Sequence, residues 1–229
     1  MKLHRMLKNK KFSLVVSLPA NDLELAAAAV KGGAQAVKVH MNVLHAASKN
    51  SFGSFEDNRS FLEKLISLAG EIPVGAVPGG ADRFITPDEM RQLETMGLDF
   101  FSSYAEHLPP FMMESYALSK MVALHDTYAQ ILDAVAKSEI DVVEASIMPV
   151  SEYGKPLRYF DLLAYADIAA KTNKPVLVPT QKSILPEEVR HLYEAGCKAV
   201  MIGVNVMENI SPEACLKAAS AFREAVDAL

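Results

Sequence analysis

The chain has 229 residues, half of them hydrophobic, and a formal net charge of −5 at pH 7. This length and apolar content suffice for one domain with a large core, whereas the acidic balance argues against a nucleic-acid or anionic-membrane surface. We therefore expect a single domain over residues 1–229 that binds neither nucleic acid nor membrane.

The two cysteines, Cys197 and Cys215, are too few for a disulfide framework and lack metal-ligand spacing, which favours a reducing cytoplasm. Basic residues up to Lys11, followed by FSLVVSLPA, superficially resemble a secretory signal. That apolar stretch is short, however, and a charged amphipathic helix follows it, so we interpret it as a first strand. No run is long enough to span a bilayer.

Short apolar runs typical of strands alternate with segments of helical periodicity along the chain. The strands are predicted at SLVVSL, AVKVH, PVGAV, DFFSSY, KMVALH, DVVEAS, PVLV and KAVMIG. Asn21 or Asp22, Thr86 and Ser211 are candidate caps for the helices between them, and a fourth helix is expected after Pro110. A fifth helix is expected from Asp126 to Lys137. This alternation predicts an α/β fold, a single (β/α)8 TIM barrel with eight parallel strands and eight outer helices.

The last strand–helix–strand unit of this pattern runs from Pro175 to Met207. In TIM barrels the loops after strands seven and eight commonly hold a phosphate on backbone N–H groups. Lys182 and Ser183 are polar where that phosphate would lie, although a surface loop is polar by default. Gly203, after strand eight, lets a backbone and an anion approach closely. Thr180 and Gln181, at the end of strand seven, are candidate substrate-binding residues.

Polar residues at the C-terminal ends of the strands are further candidates, because TIM barrels carry their active sites there. Lys38 and His40 share one face of strand two, and two valines occupy the opposite face, so we expect the polar pair to face the barrel axis. Glu144 and Ser146 share a face of strand six in the same way. Other candidates end strands one, four and five: Ser17, Ser103 and His125.

Two interpretations of Lys38 and Glu144 stay open. As a buried ion pair they would only fill the barrel. As catalytic groups, Lys38 would act as base, electrophile or Schiff-base amine, and Glu144 would orient it or exchange protons with it. His40 and His125 are either structural histidines or groups that polarise a carbonyl or shuttle a proton. The long loop from Met41 to Asn58 is predicted to close over the site and exclude water.

Three stretches of the chain resemble the ribulose-phosphate-binding barrels, and most closely the indole-3-glycerol-phosphate synthases. They are KNSFGSFEDNRSFLEKLISLAGEIPV, VALHDTYAQILDAV and ILPEEVRHLYEAGCKAVMIGVNVM. The resemblance implies a TIM barrel whose phosphate is held by Gly203, Val204 and Asn205. The seventh loop, from Thr180 to Ser183, would lie alongside.

The catalytic positions of that family are not retained. Its acid and base residues lie on strands one, three and five, and an Asn pair lies on strand six. The resemblance therefore implies the fold and the phosphate site and not the closure of an indole ring, which needs that lysine acid and glutamate base. The residues found at the matching positions are Val15, Ser17, Val77, Ala123, Ser146 and Ile147.

These observations predict an enzyme, a lyase or an isomerase, that acts on a small phosphorylated metabolite such as a sugar phosphate. No cofactor is predicted, because Gly32 and Gly33 end a helix where a dinucleotide fingerprint would open one. One alternative is a binding or regulatory protein that kept the phosphate pocket after losing catalysis. Another is a metal-dependent lyase using His40, His125 and Glu144. Two-fold dimers are common for such barrels, so a homodimer is a candidate assembly.

Overall fold

The computed structural model describes residues 1–114 and 117–229. Eight parallel strands form a closed barrel, in which each strand pairs with its neighbours in chain order and the last pairs with the first. The predicted TIM barrel is therefore confirmed. The strands are β1 (Ser13–Ser17), β2 (Ala36–His40), β3 (Val74–Val77), β4 (Phe100–Tyr104), β5 (Ser119–Ala123), β6 (Val142–Glu144), β7 (Val176–Pro179) and β8 (Ala199–Ile202).

Eight α-helices occur in the described part of the chain, and seven of them follow a strand. The first precedes β1. Capping side chains lie where the sequence predicts them, since Asp22, Thr86 and Ser211 accept hydrogen bonds from the first turns of the helices that directly follow them. The helices are α1 (Lys2–Asn9), α2 (Leu23–Lys31), α3 (Phe55–Ala69), α4 (Pro87–Met96), α5 (Leu132–Lys137), α6 (Tyr159–Thr172), α7 (Val189–Glu194) and α8 (Pro212–Asp227).

The predicted fourth helix is wrong over the described residues between β4 and β5. Two 3-10 turns, Ala105–His107 and Pro110–Met113, replace it there. The Pro109-Pro110 pair explains this, because each proline lacks a backbone N–H and restricts the residue before it. Residues 115 and 116 lie outside the described part. The fifth helix begins at Leu132, six residues later than expected.

The N-terminal end of the barrel is closed by α1. Leu3 and Leu7 are fully buried and pack with Phe100 and other apolar residues of the barrel interior. The Asp99 carboxylate accepts hydrogen bonds from the backbone N–H groups of Lys2 and Leu3, each at 2.7 Å, and so caps the first turn of α1. This end of the barrel is therefore sealed by an apolar layer.

The loop after β2 contains a two-stranded antiparallel hairpin over residues 43–52, called the hairpin below. The side-chain amide of Asn50 donates to the Pro19 carbonyl at 2.7 Å, and that of Asn42 donates to the Pro78 carbonyl at 3.2 Å. These bonds tie the hairpin to the loops after β1 and β3, so it covers part of the C-terminal end of the barrel. Among the described residues, no helix combines the length and apolar character needed to cross a bilayer.

Candidate functional site

A cavity of about 330 Å³ lies at the C-terminal ends of the strands. This volume suits a small metabolite, because ligand pockets run from roughly 300 to 1,000 Å³. The ends of the strands form its floor, and the hairpin and the loops after β3, β7 and β8 form its walls. All the predicted site residues line this cavity except His125, Lys182 and Ser183.

Lys38 and Glu144 meet at the floor of the cavity. They belong to β2 and β6, which lie opposite each other in the barrel. The Lys38 Nζ atom lies 3.1 and 2.9 Å from the Oε1 and Oε2 atoms of Glu144, and both side chains are 6% exposed. The hydroxyl groups of Ser102 and Ser146 donate to the same carboxylate at 2.6 and 2.8 Å. The two charged residues therefore form an ion pair across the barrel axis, with every carboxylate oxygen hydrogen-bonded.

These contacts determine the charge of Glu144. Burial alone raises the pKa of this carboxyl, but the Lys38 ammonium and the three hydrogen-bonding side chains outweigh burial and hold the pKa below its ordinary value. Glu144 is therefore ionised at neutral pH. The Lys38 ammonium carries three N–H donors and directs at most two of them at Glu144. Within the described part of the chain no other acceptor bonds to it, so at least one donor is available to a ligand.

Ser102 was missed by the sequence prediction. It is 1% exposed and shares a face of β4 with Phe100, which points into the barrel interior. Two rules could have placed it beside Lys38 and Glu144. Side chains alternate between the two faces of a strand, and even-numbered strands contribute to the same interior layers of the barrel. Ser103, which was predicted instead, donates to the Gly79 carbonyl at 3.3 Å and also lines the cavity.

His40 lies beneath the hairpin and is 2% exposed. Its ring packs between those of His45 and Phe52, with centroid distances of 4.4 and 4.9 Å. Burial, and then the nearby His45 and Lys38, hold the pKa of His40 well below its ordinary value, so the ring is neutral. Its Nδ1 atom is buried without a hydrogen-bond partner among the described residues.

His125 lies outside the cavity. β5 ends at Ala123, two residues earlier, and the His125 side chain is exposed. Its Nδ1 atom lies 2.6 Å from a carboxylate oxygen of Asp126, and its ring meets Tyr104 edge to face at 5.7 Å. The structure therefore brings Lys38, His40 and Glu144 together but does not bring His125 to them.

Lys182 and Ser183 also lie outside the cavity. The Lys182 ammonium is 4% exposed and lies 2.7 Å from a Glu152 oxygen and 3.7 Å from an Asp161 oxygen. The backbone N–H of Ser183 donates to the Lys155 carbonyl at 2.9 Å. These contacts join the loop after β7 to the segment after β6. The placement of the two residues therefore gives no support to the predicted phosphate contacts.

The wall built by the loops after β7 and β8 is held together by its own polar side chains. The Thr180 hydroxyl accepts a hydrogen bond from the Gly203 N–H at 3.1 Å. The Asn205 amide donates to the carbonyls of Thr180 and Gln181 at 3.0 and 3.1 Å. The Gln181 amide bonds to the Tyr153 hydroxyl at 2.8 Å. These side chains therefore shape the wall, with most of their hydrogen-bonding groups already used.

Val204 and Asn205 supply two backbone donors to the cavity side of this wall. Val204 and Asn205 begin a 3-10 turn, Val204–Val206, directly after β8. The first N–H groups of a helical turn have no partner within it. In the described ranges no acceptor bonds to the N–H of either residue. These two N–H groups can therefore donate to an anion.

No family model matches the chain. No curated protein matches it either. Solved structures do share its barrel. A tryptophan synthase from Mycobacterium tuberculosis is 13% identical, with a TM-score of 0.74 over 98% of this chain and 96% of that one.

Two further solved structures are similar. The thiamine phosphate pyrophosphorylase from Pyrococcus furiosus is 15% identical, with a TM-score of 0.63 over 95% of this chain and 96% of that one. The (S)-3-O-geranylgeranylglyceryl phosphate synthase from Thermoplasma acidophilum, solved with sn-glycerol-1-phosphate, is 14% identical, with a TM-score of 0.63 over 98% and 96%. At these identities the likeness shows the barrel fold alone.

Proposed function

We propose that the chain is an enzyme, a lyase or an isomerase, that acts on a small phosphorylated aldehyde or ketone. The ion pair between Lys38 and Glu144 at the floor of the cavity is the observation that carries this proposal. Burying two charges costs desolvation energy, and apolar residues would fill the same space at no such cost. The pair lies at the end of the barrel where enzymes of this fold carry their active sites.

The free donor of Lys38 fits a substrate carbonyl oxygen. An ammonium hydrogen bond to this oxygen polarises the carbonyl and stabilises the negative charge that develops when a neighbouring C–H or C–C bond breaks. The Glu144 carboxylate, after releasing one of its donors, accepts the proton that leaves the C–H bond or the hydroxyl of the departing fragment. Alternatively, transfer of one proton from Lys38 to Glu144 leaves a neutral amine. That amine adds to the carbonyl carbon, and water leaves as the imine forms. Both routes use the same two residues and suit a lyase or an isomerase.

The wall formed by Gly203, Val204 and Asn205 is the proposed phosphate site. The unpartnered N–H groups of Val204 and Asn205 suit an anion. A Cβ atom on Gly203 would lie 3.7 Å from the Ser17 carbonyl oxygen, an ordinary contact, so the protein's own packing does not require glycine here. The free space belongs to a ligand. Two of the similar structures are named for phosphorylated compounds, which supports the same substrate class.

A binding protein without catalysis is the second candidate. It is favoured by the complete hydrogen bonding of the Glu144 carboxylate, which would have to release a donor before it could accept a proton from a substrate. A metal-dependent lyase is not favoured. No group of three His, Cys, Asp or Glu side chains that could share a metal ion occurs in the described residues, and His125 lies outside the cavity.

The test begins with a panel of aldose and ketose phosphates and their unphosphorylated parents. A ligand present at a hundred times its Kd stabilises the fold by about 2.7 kcal/mol, which is visible as a rise in melting temperature. Each compound that binds is then followed by proton NMR in D2O. An enzyme of the proposed kind exchanges the hydrogen next to the carbonyl or splits the adjacent carbon–carbon bond. Mass spectrometry after borohydride treatment shows whether Lys38 forms an imine.

Lys38→Met is expected to abolish turnover, and Lys120→Met is its matched control. Lys120 is also largely buried and pairs with Glu139 at 3.2 Å, but it lies outside the cavity. Lys38→Arg keeps the charge if the methionine variant does not fold, and it cannot form an imine. Full turnover in Lys38→Met would refute the proposed role. Binding of phosphorylated compounds by the wild type without any turnover would establish the binding protein instead.

A further inference from the structure

The hairpin carries one histidine, His45, into the wall of the cavity. The backbone on both sides of the turn fixes its position. The His45 N–H donates to the Asn50 carbonyl, and the His45 carbonyl accepts from the Lys49 N–H, both at 2.9 Å. Its ring packs against that of His40, with centroids 4.4 Å apart. His45 is therefore held over the floor of the cavity as part of an ordered element.

Contacts with Ser48 determine the tautomer of His45. The backbone N–H of Ser48 donates to the Nδ1 atom at 3.2 Å, and the Ser48 hydroxyl lies 2.9 Å from the same atom. An Nδ1 atom that accepts a backbone N–H has no proton of its own, so in the neutral ring Nε2 carries it. The ring therefore presents an N–H donor on the side away from Ser48.

The Nε2 atom of this cavity-lining residue is accessible. It has no hydrogen-bond partner among the residues that the structure describes, and it is not one of the fully buried atoms without a partner. The ring packs against that of His40, which follows Lys38 by two residues on β2. Burial, and then Lys38, lower the pKa of His45 to about 4. The imidazole is therefore a neutral donor across the physiological range.

We infer that His45 is a catalytic residue that donates its Nε2–H to the oxygen of the substrate carbonyl, on the side not occupied by Lys38. This rests on the proposed function and adds a residue to it. As the proton next to the carbonyl passes to Glu144 and the substrate becomes an enolate, its oxygen gains negative charge and the hydrogen bond strengthens without any proton leaving the ring. The substrate class is then a carbonyl compound whose oxygen accepts two donors, one charged and one neutral.

Two amide variants separate a catalytic role from a structural one. In His45→Asn the amide oxygen can accept from Ser48 as Nδ1 does, but no donor reaches the Nε2 position. In His45→Gln the amide nitrogen reaches the Nε2 position and the Ser48 contact is lost. A catalytic His45 predicts a fall in kcat of about 100-fold or more for His45→Asn, at an unchanged melting temperature. His45→Gln should keep more of the kcat although it is less stable.

The opposite order, with His45→Asn active and His45→Gln inactive, would overturn the inference and assign His45 to the structure of the hairpin. Nitrogen-15 NMR of the wild type gives a readout that needs no variant. The proton must reside on Nε2, and a bound panel compound must shift the Nε2 signal more than the Nδ1 signal. A proton on Nδ1 also overturns the inference. A wild type inactive on the whole panel overturns the proposed function itself, and this inference with it.

Discussion

Burial favours the neutral forms of His40, His45 and Glu144, and the neighbouring charges and hydrogen bonds decide whether each residue stays neutral. His40 and His45 lie next to Lys38 and to each other, so burial and positive charge act together and keep both rings neutral. Glu144 is buried like His40, but Lys38, Ser102 and Ser146 donate to it and keep it charged. The site therefore combines a carboxylate, paired with Lys38, and neutral imidazoles at neutral pH.

The lowered pKa of His45 predicts that the protein loses stability on mild acidification. The pKa is about 6.5 in the unfolded chain and about 4 in the folded one. Between these values the unfolded chain binds a proton that the folded protein does not. The free energy of unfolding should therefore fall by about 1.4 kcal/mol per pH unit from this residue, reaching about 3 kcal/mol near pH 4. Above pH 6.5 this effect is absent.

Urea unfolding between pH 7 and pH 5 measures this slope. His45→Gln should reduce the slope by the share that His45 contributes, and His191→Gln, at an exposed position, is the control. His4 and His40 also have lowered pKa values and are present in all three proteins, and His45 contributes to the shift of His40. The difference in slope therefore measures His45 together with its effect on His40. Glu144 adds a loss only below its unfolded-state pKa of 4.5, outside the measured range. Equal slopes in the wild type and His45→Gln would contradict the prediction.

At the scale of elements, Gly75 and Gly203 show two different physical reasons for a glycine. Gly75 lies on β3, and a Cβ atom there would overlap the ring of Phe100 on β4. Gly203 follows β8, and a Cβ atom there would meet only the Ser17 backbone and side chain, at 3.7 and 4.0 Å. Neither glycine has a positive φ. The first is thus required by packing between strands, whereas the second leaves space in the cavity.

Gly75→Ala should therefore destabilise the protein by about 1–3 kcal/mol, the usual cost of overpacking a core. Gly203→Ala should change stability by less than about 0.5 kcal/mol but weaken the binding of phosphorylated panel compounds at least about tenfold, because its methyl group occupies the proposed phosphate site. Chemical denaturation and ligand titration of both variants check this. If Gly203→Ala binds the phosphorylated panel compounds with wild-type affinity, the phosphate does not lie at this wall.

At the scale of the whole molecule, closure of the barrel creates the site. The helix α1 seals one end with Leu3 and Leu7, and the hairpin partly covers the other. Between them, β2 and β6 face each other across the axis and bring together Lys38 and Glu144, which are 106 residues apart in the chain. An intermediate without the closed barrel would leave both charges without a partner.

The Lys38–Glu144 pair should therefore show strong coupling in a double-mutant cycle. Lys38→Met leaves a buried carboxylate without its counter-charge and should cost about 3–5 kcal/mol, whereas Lys38→Met with Glu144→Leu should regain most of this loss. Lys120→Met should cost less than about 1 kcal/mol, because its partner Glu139 is 81% exposed. Stability is measured by urea unfolding at pH 7. Additive effects of the Lys38 and Glu144 substitutions would contradict a direct buried pair.

The sequence by itself determined the barrel and the inward direction of Lys38, His40, Glu144 and Ser146. Both follow from short-range periodicity, which a linear chain displays directly: alternation in the strands and apolar spacing with caps in the helices. The run Pro109-Pro110 is also visible in the sequence, and over the described residues 3-10 turns replace the helix expected after it.

Only the tertiary structure decided which polar side chains are free to meet a ligand. Lys182 forms ion pairs with Glu152 and Asp161, and His125 lies beyond the end of β5. His45 enters the cavity because the hairpin folds back over the barrel. The physical reason is that these hydrogen bonds and ion pairs join groups that are distant in the chain. A local pattern of residue types does not indicate which polar groups the closed barrel brings within about 3 Å of one another.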